Sequence, residues 1–228
     1  MLNRDIKRIL LDKNIEFLYH ANTVATACTF LRAGGLLSRG TVVDLGLEQT
    51  SQETDETDKM FDVFYDIFFD SDDIHRRAKK INLYGPVLFV YSIDLLDDLP
   101  DNIVGITRVN PKYWNSEMTD SDKYFQSPEE LSLQYFKGVL TQHFTIRHWN
   151  TPLSFHHLIK IVLDNPKIGN TTYFEKACVE IERLTKTQFP ESLFEIRCCD
   201  PECHCEGQYQ GYKEGFTYHR FKTRCITG

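Results

Sequence analysis

Over the first forty residues the hydrophobic positions change period repeatedly, and each change marks an element. Ile6, Ile9 and Leu10 recur at helical spacing, IEFLYH at 15–20 reads as a short apolar strand, and Val24, Ala27, Cys28 and Leu31 return to a helical stripe. The predicted order is helix, strand, helix. Asn22 or Thr23 is placed to cap the second helix, while Gly34 and Gly35 are placed to stop it, because glycine takes positive φ without strain. TVVDLGL, at 41–47, then reads as a strand.

Further along, PVLFVYSI (86–93) is the strongest buried-strand signal, followed by the turn DDLPDN and a strand in NIVGITRV. SPEELSLQYFKGVL opens a helix with Ser127 as cap, Pro128 at its first position and Glu130 three residues after the cap. QHFTIRHW reads as a strand, HHLIKIVLD as a strand or short helix, and SLFEIRC as a last strand. TTYFEKACVEIERLTK is a helix with Phe174, Cys178, Ile181 and Leu184 on one side and a second capping box at Thr172 and Glu175. These elements predict an α+β fold in a single mixed domain, with most sheet material between Val42 and Ile196. Strands and helices do not alternate as βαβ units, and neither GxGxxG nor GxxxxGK[ST] is present.

Charge modifies this picture locally. The 33 acidic and 26 basic residues give a net charge of -7, which argues against a protein that coats nucleic acid nonspecifically and leaves room for a local basic groove. Residues 44–73 carry 11 acidic side chains against Lys59 alone. Within them QTSQETDETD reads as a solvated loop and MFDVFYDIFF as a helix or strand against the core. The sign reverses in DDIHRRAKKINLYG (72–85). The opening MLNRDIKRILLDKN is unlike a secretory signal, and no run approaches the roughly 18 apolar residues of a membrane span. Seven cysteines, an odd number, with Cys28 and Cys178 in apolar helical patterns, point to a reducing cytoplasm and no membrane partner.

Two blocks carry a family resemblance. YHANTVATACTFLRAGGLLSRG (19–40) resembles the opening motif of ADP-ribosyltransferase-fold proteins, especially DarT-like toxins that modify nucleic acids. In that superfamily a strand-borne histidine contacts the adenosine ribose of NAD ahead of a helix and a Gly-Leu turn. The resemblance implies a split central sheet of that type, NAD contacts from His20, Asn22 and Thr23, and a turn at Gly34, Gly35 and Leu36, with Gly35 beside the cofactor. DDIHRRAKKINLYGPVLFVYS is similar to the family's arginine-bearing helix before a central strand. Arg76 or Arg77 would occupy the functional arginine position ahead of Tyr84 and Phe89, with Arg77 and Tyr84 at the cofactor. The likeness spans about the first 95 residues. It implies NAD as substrate, RNA or DNA ahead of protein as acceptor, and an antitoxin protein as a further partner. The family's glutamate finds no counterpart on a late strand, so Glu130, Glu129 and Glu117 are the candidates, Glu130 first.

Such residues suit the chemistry. Breaking the nicotinamide–ribose bond develops positive charge on the sugar, which a carboxylate stabilises; an arginine fork holds the pyrophosphate, and an aromatic ring stacks on nicotinamide. Plainer duties stay open for each. His20 could be satisfied by backbone, Asn22 and Thr23 could only cap, Gly34 and Gly35 could only end a helix, Arg76 and Arg77 could solubilise one, and Glu129 and Glu130 could serve a helix N-terminus. His143, Thr145 and Arg147 would share one strand face, beside Trp149, as a nucleic-acid surface or a solvated sheet edge.

The C-terminal RCCDPECHCEG is a separate signal. Cys198, Cys203, Cys205 and Cys225, with His204 as a substitute, suit a tetrahedral structural zinc, the alternative being reduced, half-buried thiols. The expected division is a core at 1–197 and a cysteine-rich extension at 198–228 packed on it. Two other function classes remain: a nonenzymatic nucleic-acid-binding protein using QHFTIRHW and the cysteine-rich end, and a zinc-stabilised interaction protein.

Overall fold

The computed structural model describes residues 1–167, 172–189, 191, 193–211 and 214–224; Cys225 lies outside them. Helix α1 (Asn3–Asp12) buries Ile6, Ile9 and Leu10, as its periodicity requires. It leads to β1 (Phe17–Asn22) and then α2 (Val24–Ala33), which Gly34 closes at φ 77°. There follow β2 (Gly35–Leu36), α3 (Arg39–Asp44), α4 (Asp55–Met60), β3 (Ile67–Phe69), α5 (Ile74–Ala78) and the buried central strand β4 (Val87–Ser92). Then come α6 (Leu95–Asp98), β5 (Val104–Ile106), α7 (Asp120–Lys123), α8 (Pro128–Gln134), β6 (Phe144–Ile146), β7 (Leu153–Ser154) and β8 (Leu158–Leu163). The chain continues through α9 (Thr172–Gln188), β9 (Phe194–Ile196), α10 (Cys205–Gly211) and α11 (Glu214–Phe221).

Two local expectations are corrected. TVVDLGL is not a strand: Ser38 caps α3, its Oγ accepting from the Thr41 N–H at 3.2 Å, and this cap overrides the β-branched pair that follows. Only Val42 of that stretch is buried to zero exposure, while Val43 and Leu45 face solvent. QTSQETDETD is not all loop, because α4 starts inside it with Asp55, Glu56 and Asp58 in the first turn, where acids complement the helix dipole.

The main sheet has strand order β1-β4-β8-β9, antiparallel except for the parallel β8–β9 pair, and a second sheet has order β3-β6-β5. Among the described residues they meet at a single bridge. The Tyr19 N–H donates to the Asp70 carbonyl at 2.9 Å and the Asp70 N–H to the Tyr19 carbonyl at 2.8 Å. Continuing that register would put Ala21 opposite Phe68, but the strands part instead, and the His20 ring reaches the Phe68 carbonyl. This parting is the split in the sheet, and it opens a cleft.

One hydrophobic cluster runs from Ile6 to Phe221, so α10 and α11 share the main core through Cys205, Tyr209 and Phe221. Among the described residues no helix is long and apolar enough to cross a membrane. Where the chain enters β4, Gly85 passes the end of β1 so closely that a Cβ would sit 2.0 Å from the Asn22 carbonyl group. The obstacle is backbone and cannot rotate away. Gly85→Ala is expected to destabilise by about 1–3 kcal/mol, read as a lower urea midpoint at unchanged m.

Candidate functional site

The cleft between the diverging β1 and β3 encloses about 920 Å³ with its open mouth included. His20 forms its floor. Its Nδ1 lies 2.8 Å from the Phe68 carbonyl, so Nδ1–H is the donor, and the ring packs among Phe30, Phe69 and Phe89. Burial pushes the imidazole pKa down, keeping the ring neutral. Nε2 is therefore a lone-pair acceptor, and it is buried with no partner among the described residues. Leaving such an acceptor unmatched costs about 1–3 kcal/mol, which a ligand hydroxyl would recover.

Beside His20 lies a second polar group chain. The Asn110 Nδ2 donates to His143 Nε2 at 2.9 Å, which fixes the other ring nitrogen as the donor to Asp70 Oδ1 at 3.2 Å. The His143 backbone N–H is held by the Thr107 hydroxyl at 2.8 Å, so the ring's placement is locked. Asp70, Asn110 and His143 all line the cleft, as does Tyr84. The Tyr84 residue is 42% exposed at the mouth, and its phenol titrates above its usual range chiefly because neighbouring groups displace part of its water, with Asp70 adding to the shift.

Asp58 and Asp66 also line the cleft, and burial raises each to about 6. Asp66 accepts from the His148 N–H at 2.9 Å and the Thr145 hydroxyl at 3.2 Å, yet these bonds do not offset its burial. Because the folded state holds this proton more tightly than the unfolded chain does, stability falls as pH rises between roughly 4 and 6. Asp66→Asn, which keeps an oxygen for the His148 N–H and turns an NH2 toward the Thr145 hydroxyl, itself able to accept, is expected to stabilise the protein at pH 7 by up to about 3 kcal/mol. The gain should vanish below about pH 4, a comparison made by chemical denaturation at the two pH values.

Arg39 and Lys112 bring cations to the cleft. Arg39 donates to both oxygens of Asp55 and to the Thr50 carbonyl, so its guanidinium is fixed at the wall.

The residues singled out in the sequence separate into groups. His20, Asn22 and Tyr84 share the cleft. Asn22 also takes the local bonding role, its Oδ1 accepting from the Thr23 N–H at 2.9 Å. Thr23 is the N-cap of α2 but makes no side-chain cap bond; its hydroxyl meets Thr50 Oγ1 at 2.7 Å, behind the wall. Gly35 is needed for strand pairing, since a Cβ there would sit 2.4 Å from the Leu153 carbonyl oxygen.

Arg76 and Arg77 are not in this cleft. They are exposed on α5 and line a second depression on the other side of β1, Arg77 lying 3.5 Å from Asp72. The buried member of that helix is His75. Glu130 is likewise elsewhere: it accepts from the Gln126 N–H at 3.0 Å and pairs with Arg108 at 2.7 Å, serving the start of α8. Glu129 and Glu117 are exposed and line neither depression.

The 142–149 segment turns inward instead of forming a solvated edge. His143 and Thr145 are buried, and the Arg147 guanidinium lies over the Tyr124 ring at 4.8 Å. Of the four cysteines proposed as ligands, Cys203 and Cys205 converge, Cys198 is exposed and apart from them, and Cys225 is outside the described residues. The His204 side chain is not among the converging ligands; its backbone N–H bonds the Lys79 carbonyl at 2.8 Å.

Sequence reasoning missed Asp58, Asp66 and Asp70. For Asp66 and Asp70 the available signal was the aromatic flanking in FDVFYDIFFD (61–70), which a freely solvated acidic loop does not need; Asp58 lies before that stretch, within the acidic run. His143 was singled out as part of a strand face in QHFTIRHW and not as a member of this cleft, and Asn110 carries no local motif.

No protein-family model matches the chain, and no curated protein matches it. Solved structures do resemble it over most of its length. Thermus sp. 2.9 DarT in complex with ADP-ribosylated ssDNA is 13% identical, with a TM-score of 0.47 over 81% of this chain and 95% of that chain. The same protein in complex with NAD+ gives 13% identity and a TM-score of 0.45 over 80% and 96%. Its complex with carba-NAD+ gives 14% and 0.43 over 82% and 96%.

Proposed function

We propose that the cleft between β1 and β3 binds NAD and that the protein transfers ADP-ribose from it to a nucleic acid, RNA or DNA. The observation that carries this reading is the buried, unpartnered Nε2 of His20 at the floor of a cleft, an acceptor awaiting a ribose hydroxyl. The resemblance of residues 19–40 to ADP-ribosyltransferase-fold proteins assigns the same task to the same residue.

The remaining roles follow from placement. Asp70 replaces Glu130 as the carboxylate facing the sugar: as the glycosidic bond breaks, nicotinamide leaves with the bonding electrons and Asp70 stabilises the positive charge on the ribose carbon. His143 and Asn110 hold Asp70 in place. Arg39 and Lys112 replace Arg76 and Arg77 as the cations available to the pyrophosphate, and Tyr84 at the mouth offers a ring for stacking. Attack by a base nitrogen forms the new bond to ribose, and its proton passes to Asp58, a base whose raised pKa of about 6 suits neutral pH. On this reading the protein works in a reducing cytoplasm, where its free thiols are stable, and an antitoxin protein would be its binding partner.

NAD+ and ADP-ribosylated ssDNA are what the Thermus DarT structures contain, so NAD+ and unmodified ssDNA are the first donor and acceptor to try. Incubation with NAD labelled on its adenylate part should release nicotinamide and label single-stranded DNA or RNA. Absence of NAD binding by calorimetry, together with no label on nucleic acid or protein, would refute the reading.

A further inference from the structure

We propose that His75, Cys199, Cys203 and Cys205 bind one zinc ion, which fastens the C-terminal segment to α5. The four donor atoms come from three places in the fold: α5, the loop after β9, and the first residue of α10. Their ligand atoms all lie within 4.8 Å of one another. Cys199 Sγ is 3.5 Å and Cys203 Sγ 3.4 Å from His75 Nε2, and Cys199 Sγ is 3.5 Å from Cys205 Sγ. A tetrahedral zinc with Zn–S of about 2.3 Å and Zn–N of about 2.0 Å has ligand–ligand edges of about 3.5–3.8 Å, so the set needs only slight adjustment to receive the ion.

The second layer of contacts is that of a metal-binding histidine. His75 Nδ1 lies 2.7 Å from Asp164 Oδ2, which assigns the proton to Nδ1 and directs the Nε2 lone pair at the sulfurs. Asp164 is 1% exposed and is itself held by Arg197 Nε at 2.5 Å and the Tyr209 hydroxyl at 3.1 Å. A disulfide does not account for the cluster: it would join two sulfurs at about 2.05 Å and leave the third thiol and the aimed imidazole without a role. Three thiolates and one imidazole are a soft set that excludes magnesium and calcium and suits zinc.

The ion would complete a seam that the backbone already begins. His204 N–H bonds the Lys79 carbonyl at 2.8 Å, and Gln208 Oε1 accepts from the Ile81 N–H at 2.9 Å. Cys198, next to a ligand in sequence, is exposed and belongs to none of these contacts, which makes it the natural control.

The test is elemental analysis of the full chain, purified under reducing conditions without added metal. About one zinc per chain is expected, lost in Cys203→Ser and Cys199→Ser and kept in Cys198→Ser. Because the ligand variants risk failing to fold, cobalt exchange into the unaltered chain gives an independent reading: thiolate-to-cobalt charge transfer and strong tetrahedral visible bands are expected. The proposal is overturned if the purified chain holds no zinc and cobalt produces no such bands, if the bound metal is iron, or if Cys198→Ser loses zinc as completely as Cys203→Ser.

Discussion

Asp70→Asn is expected to lower both nicotinamide release and ADP-ribose transfer by about 10²–10³-fold at saturating NAD, with the fold intact. The substitution keeps the size of the side chain and an oxygen for the His143 Nδ1–H, which Asp70 Oδ1 meets at 3.2 Å. What it removes is the negative charge, and that charge matters chiefly when the ribose becomes cationic. NAD affinity should therefore change much less than turnover, because ground-state NAD presents no oxocarbenium to stabilise. Single-turnover nicotinamide release separates the two quantities. Activity within a few-fold of the unaltered chain would remove Asp70 from the mechanism and leave Asp58 and Asp66 as the carboxylates at the cleft.

Asp164→Ala is expected to destabilise the fold by about 3–5 kcal/mol, the range for breaking a buried ion pair from one side. Asp164 meets three groups within the core: Arg197 Nε at 2.5 Å, His75 Nδ1 at 2.7 Å and the Tyr209 hydroxyl at 3.1 Å. Removing it leaves a phenol, an imidazole and a guanidinium short of an acceptor, although Asp73 still pairs with Arg197 at 2.6 Å. Urea denaturation measures the loss, and a change below about 1 kcal/mol would show that water or a shifted side chain replaces the carboxylate. A drop in bound metal, measured on the folded fraction, would tie the same residue to the orientation of His75.

Elements with a strong period or a side-chain cap were legible from the sequence. The stripe of α1, the glycine stop of α2 and the Ser127 cap of α8 each depend on neighbours within a few residues. Long-range choices were not. Nothing local says that Ser38 outweighs the β preference of Thr41, Val42 and Val43, or that the inward member of IHRRA is His75 and not an arginine. The same limit applies to the adjacent pair Cys198 and Cys199, of which packing selects the second. At the cleft, His20 was legible because a motif surrounds it. Asp70 was obscured by the charge run that contains it, and His143 comes to its side only through the pairing of β6 with β3.

The bond from the His20 ring to the Phe68 carbonyl has a consequence for how the cavity persists. In the register set by Tyr19 and Asp70, the Ala21 N–H faces that carbonyl's side, so an ordinary ladder could zip shut there. The imidazole acts as a spacer that occupies the acceptor and keeps two ribbons of backbone from annealing. A shorter, nonpolar replacement would remove more than a ligand contact, because it would free the main chain to heal its own seam and erase the void by gaining a rung.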